Sequence, residues 1–123
     1  MDDIMAQSET PQQEQDVEKL LRDYQTTQEQ LRTLTMQLEQ FQAQKMEMER
    51  AKEELEKASG KVYFSVGGVI VETTKDKALA DINDRYSITN ARLQTFNKQY
   101  ADVRSKEKQL NDRLTQLYKQ GQQ

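Results

Sequence analysis

Chemistry near neutral pH needs a nucleophile, an acid–base pair or a ligand cluster, and this chain is poor in all three. Its 123 residues include no histidine and no cysteine. That removes imidazole and thiolate catalysis, cysteine–zinc sites and disulfides together. Asp and Glu number 21 against 18 Lys and Arg, but they are spread along charged runs with no pocket to perturb them. Gly67-Gly68 could turn backbone N–H groups toward a phosphate, yet no GxxxxGK lysine follows and no αβ unit surrounds the pair. The remaining candidates are charges where apolar residues are expected, namely Lys45, Lys52 and Glu107. None has a neighbour that would make a charge relay, and the polar layers they form read as solvated gaps or register devices. We expect no enzyme, no cofactor and no metal.

The elements that carry these residues follow from composition and periodicity. The chain is 34% hydrophobic and 32% charged, with a mean hydropathy of −1.04. That is too polar for a large three-dimensional core and suits either disorder or long helices. The net charge of −3 offers no basic footprint for nucleic acid. "MDDIMAQSETPQQ" lacks the basic and apolar regions of a signal peptide, and no run approaches the roughly 18 apolar residues that span a membrane. With cysteine absent as well, a cytoplasmic chain is expected.

Periodicity decides for helices. After a polar, flexible leader over residues 1–10, Thr10, Pro11 and Gln13 form a start signal, and heptads run to residue 59. Their a positions are Val17, Tyr24, Leu31, Leu38, Lys45 and Lys52; their d positions are Leu20, Thr27, Leu34, Phe41, Met48 and Leu55. Gly60 offers a left-handed stop. Thr73 and Asp76 mark a second start at a capping-box spacing, and a second helix is expected over 75–120, before a tail at 121–123. Here a is Leu79, Tyr86, Leu93, Tyr100, Glu107 and Leu114, and d is Ile82, Thr89, Phe96, Val103, Leu110 and Leu117. Repeats this long argue for a coiled coil.

The two series also predict their own pairing. Folding the chain back sets Leu55 against Leu79, Phe41 against Leu93, Leu34 against Tyr100 and Leu20 against Leu114. In that register Thr27 faces Glu107 and Lys45 faces Thr89, so polar residues meet polar residues. Only Lys52 lies opposite an apolar partner, Ile82. A slip of one heptad would set Lys45 against Phe96 or Glu107 against an apolar leucine, and an unpaired buried charge costs several kcal/mol. The expected fold is therefore mainly α: a long antiparallel intramolecular coiled coil with one β-hairpin at its bend. At 1.5 Å per residue such an arm would be ~65–70 Å long, with both termini at the end away from the hairpin.

Residues 60–74, "GKVYFSVGGVIVETT", supply the hairpin. Gly67-Gly68 suits a two-residue primed turn. It pairs Val66 with Val69, Ser65 with Ile70, Phe64 with Val71, Tyr63 with Glu72 and Val62 with Thr73. One face is then apolar apart from the Thr73 hydroxyl (Val62, Phe64, Val66, Val69, Val71). A lone hairpin is marginal in water and leaves two open edges. Its helices point away, so we expect other subunits to cover it by contributing strands to an intersubunit β-barrel, which abolishes edges.

Helix, single hairpin and returning helix, with "KVYFSVGGVIVETTKDKALADI" between the coils, resemble a β-class prefoldin subunit over about residues 12–120. Val62-Tyr63, Val66-Gly67, Val69-Ile70-Val71 and Asp76 carry the likeness. The α class has two hairpins and this chain has room for one, while Glu72 and the polar N-terminal extension depart from the pattern. The resemblance implies a hexamer of two α-class and four β-class subunits with a double β-barrel. It implies an ATP-independent holdase that grips non-native polypeptides at coiled-coil tips and passes them to a group II chaperonin. On that reading Val62, Tyr63, Phe64, Val66, Gly67, Gly68, Val69, Ile70 and Val71 make the assembly module. Fraying helix ends would expose Val17, Leu20, Leu21, Leu114, Leu117 and Tyr118, with Ile4 and Met5 on the leader, to an apolar client. Tyr24 and Leu110 form the next layer inward. Asp16, Glu18, Arg22, Arg113 and Lys119 read as solvated faces or as chaperonin contacts. The rival is a coiled-coil scaffold or tether assembled through the same hairpin; an RNA-binding arm would need a basic stripe that the sequence lacks.

Overall fold

The structure, a computed structural model, describes the backbone of residues 2–122 and the side chains of residues 12–121. Its order is α1 (Asp2–Lys57), β1 (Val62–Val66), β2 (Val69–Thr73) and α2 (Lys75–Gln122). Two long helices pack as an antiparallel hairpin with a two-stranded sheet between them. Two compact units divide the chain: one joins Met1–Thr35 with Lys98–Gln123, and the other is Met36–Asn97.

The heptad seam is real in both units. Of the two dozen a and d residues, all but Lys52 are buried or half-buried, while their neighbours on the outer faces are exposed. In the unit that holds the sheet, the Phe41 and Phe96 rings stack with centroids 5.3 Å apart at 24°. Tyr86, expected opposite Met48, lies against the residues that flank Met48. Its hydroxyl donates to Glu49 Oε1 at 2.9 Å, and the Lys45 ammonium sits 5.7 Å from its ring centroid. A one-heptad slip would have brought Lys45 to Phe96, so these contacts fix the register that the polar layers demanded. Lys52, whose expected partner was apolar, stays in solvent. Burying its ammonium would strand a charge, and the long stem lets it avoid that.

Besides α2 running on to Gln122, into the segment expected as a tail, three boundaries differ from expectation. First, α1 begins at Asp2, so the helix takes in the segment expected as a leader, and Thr10 is not its cap. Pro11 has no N–H to give the Gln7 carbonyl, but one lost rung does not stop a stretch that holds no glycine. Second, α1 ends at Lys57, with the Ala58 N–H donating to the Leu55 carbonyl at 3.1 Å in a tightened last turn. Gly60 does take a positive φ, 114°, just past that end. Third, Thr74 rather than Thr73 caps α2. The Lys77 N–H donates to Thr74 Oγ1 at 3.2 Å, and the Ala78 N–H to the Thr74 carbonyl at 3.0 Å. Thr73 is already committed to the sheet as the partner of Val62, which pushes the cap one residue on. The third helical residue is then Lys77, so the reciprocal capping box does not form.

Candidate functional site

The hairpin forms with the expected register throughout: Val62↔Thr73, Tyr63↔Glu72, Phe64↔Val71, Ser65↔Ile70 and Val66↔Val69. Gly67 and Gly68 have φ of 54° and 81°. Positive φ at both central positions defines a type I′ turn, whose twist matches that of the strands. Space around both glycines is open, so the requirement there is conformational and not steric.

Burial separates the base of the hairpin from the rest. Val62 is buried, at 8% exposure, whereas Tyr63, Phe64, Val66, Val69, Ile70 and Val71 are all exposed, Ile70 to 73%. Val62 and Phe64 also line a groove of about 430 Å³ with Leu55, Ala78 and Ile82 at the junction with the helices. The coil therefore covers one side chain of the apolar face and leaves the others in water. Both edges of the two-stranded sheet are unpaired among the described residues.

An ammonium that sequence reasoning missed holds the base together. Lys75 Nζ donates to the Glu56 carbonyl at 2.8 Å and to the Ala58 carbonyl at 3.4 Å. The first residue of α2 thus satisfies end carbonyls of α1 and sets a positive charge at the negative end of that helix dipole. The signal lay in the sequence as a lysine opening a helix, where acidic residues are the usual choice.

In the unit that holds both chain ends, Val17, Leu20, Leu114 and Leu117 are half-buried in the seam, while Leu21 and Tyr118 are exposed. Leu20 and Leu117 come together in a groove of about 290 Å³ that Asp16, Lys19, Asp23 and Arg113 also line. Tyr24 lines a separate open groove with Tyr100, Arg104, Glu107 and Asn111. Ile4 and Met5 lie outside the residues whose side chains are described. Among the described residues, no group of three or more acidic side chains could hold a metal ion, and no helix is long and apolar enough to cross a membrane.

The chain is similar to known proteins over most of its length. The family described as "Prefoldin subunit" matches residues 18–121. Prefoldin subunit beta of Methanosarcina acetivorans is 32% identical over 111 residues, which is 89% of this chain and 92% of that protein. The same-named protein of Methanococcoides burtonii is 36% identical over 115 residues, 92% and 90% of the two chains. The crystal structure of the prefoldin beta subunit from Thermococcus strain KS-1 superposes with a TM-score of 0.78 at 29% identity, covering 82% of this chain and 90% of that one. The beta2 subunit of that strain, at 18% identity and a TM-score of 0.66 over 74% of this chain and 98% of its own, shares the fold. With a single hairpin, a matching seam and these relatives, the chain belongs to the prefoldin family as a β-class subunit.

Proposed function

We propose that the chain works as one β-type subunit of a hexameric, ATP-independent chaperone. In this reading two α-class partners and further β-class subunits close the hairpins into a shared β-barrel. The chain-end segments of the coiled coils then hold non-native polypeptides in the cytoplasm and pass them to a group II chaperonin. The observation that carries the reading is the exposed hairpin. Phe64, Val66, Val69 and Val71 form an apolar face that this chain leaves in water. At roughly 1.5–3 kcal/mol for each side chain fully buried, that face drives association, and closing strands into a barrel would pair both free edges.

Client holding would rest on the other unit. Leu21 and Tyr118 are already exposed, and Val17, Leu20, Leu114 and Leu117 are only half-covered. Several such patches on one assembly add through effective concentration, so each contact can be weak and tolerant of client sequence. A scaffold or tether would share the hairpin and the half-buried seam, but would have no use for the exposed Leu21 and Tyr118.

Two measurements test the reading. Native mass measurement of the chain with a two-hairpin α-class subunit is expected to give the hexamer; a monomer with and without that subunit overturns it. The combined replacement Leu20→Ser, Leu21→Ser, Leu114→Ser and Leu117→Ser is expected to leave the hexamer intact while weakening suppression of client aggregation at least severalfold. Unchanged suppression by an intact hexamer would favour the tether.

A further inference from the structure

We infer that the Thr27–Glu107 layer sets how far the coiled coil opens from its chain ends when it takes a client. The inference rests on the holdase reading for its purpose but not for its physics.

On α1 the burial of the seam changes at this layer, while on α2 Val103 and Tyr100 beyond it are half-buried like Glu107. Thr27 is 1% exposed, and Leu31 and Leu34 beyond it are also buried; from Tyr24 to Val17, and from Glu107 to Leu117, every seam residue is only half-buried. The two polar members of the layer behave differently. Thr27 Oγ1 donates to the Asp23 carbonyl of its own helix at 2.7 Å. Its hydroxyl is thereby satisfied, and the side chain packs as a small apolar one would. Glu107 cannot be disposed of in that way. Its side chain is 16% exposed, and its carboxylate accepts from Arg104, one turn earlier on the same helix, at 2.8 Å.

Because both bonds are intrahelical, neither is broken when the helices part. Among the described residues of this unit no side-chain hydrogen bond crosses the seam, whereas the unit with the sheet is tied across by Tyr86–Glu49 and Lys75–Glu56. Opening therefore breaks no cross-helix bond and returns the Glu107 carboxylate to water, which relieves its desolvation. The open groove of about 650 Å³ lined by Tyr24, Tyr100 and Glu107 lies at this point. What opening does cost is the apolar contact of Val17, Leu20, Leu110, Leu114 and Leu117, which are the side chains an apolar client segment would cover again. On the inner side, separating the helices would uncover the buried side chains of Thr27, Leu31 and Leu34 with no charge to relieve, so the opening stops there.

The test is amide exchange on the full chain in its assembled form, without client. Glu107→Leu is expected to slow exchange in residues 14–24 and 108–118 by about tenfold or more, as expected for removing a part-buried charge from a seam, and to leave residues 28–35 unchanged. Moving the charge inward, with Glu107→Leu combined with Val103→Glu, is expected to carry the edge of fast exchange past Leu31. If Glu107→Leu leaves exchange near the chain ends as it was, the inference is overturned. Should the doubly substituted chain fail to assemble, Glu107→Gln provides the second reading, with an intermediate slowing expected and none overturning the inference. Client capture is read separately. Slower exchange with undiminished capture would keep the layer's role and sink its link to holding.

Discussion

At the scale of single residues, the chain places its polar groups where two helices must stop and start within a few residues of each other. Thr74 caps α2 through the Lys77 N–H, and Lys75 reaches back to the Glu56 and Ala58 carbonyls. Lys75→Met is expected to lower stability by about 1 kcal/mol, since it removes a charged donor from a helix C-terminus. Denaturant unfolding at one fixed protein concentration measures this, because assembly makes apparent stability depend on concentration. Arginine at this position would restore part of the loss. These details were only partly legible beforehand. A run of Thr73-Thr74 does not say which threonine the sheet will take, and a lysine that opens a helix does not say which carbonyls across the bend it will reach. The seam residues were legible, because an apolar side chain every three or four positions has one stable place to go.

At the scale of elements, the polar exceptions to the heptads carried as much information as the leucines. Lys45 and Glu107 penalise every slipped register, and the helices adopt the remaining one, with Tyr86 against Lys45 and Glu49. The Phe41–Phe96 stack was not foreseen, since layer pairing set Phe41 opposite Leu93. Large rings reach diagonally to the next layer, and Arg92 lies 6.0 Å from the Phe41 centroid on the same cluster. Phe41→Ala is expected to cost about 3 kcal/mol, of which about 1 kcal/mol is specific to the aromatic pair. A double-mutant cycle with Phe96→Leu isolates that pairwise part. Where helix pattern and breaker conflicted, the sequence reading failed: Pro11 looked like a first helical residue, yet α1 continues through it to Asp2.

At the scale of the whole molecule, the hairpin's turn, register and apolar face could be read from fifteen residues, but its exposure required the fold. Of its apolar face the chain itself buries Val62 alone. Phe64→Ser with Val71→Ser is therefore expected to abolish assembly while leaving helix content within a few per cent, as checked by native mass and far-ultraviolet circular dichroism. The paired β-strand and apolar face that would recruit partners are also what a newly made copy displays before any partner arrives. An unassembled subunit thus shows the same signs, bare valines and free strand edges, by which damaged proteins are recognised. Surplus copies would draw on the cell's quality control, so matched synthesis of partners becomes a condition of the design.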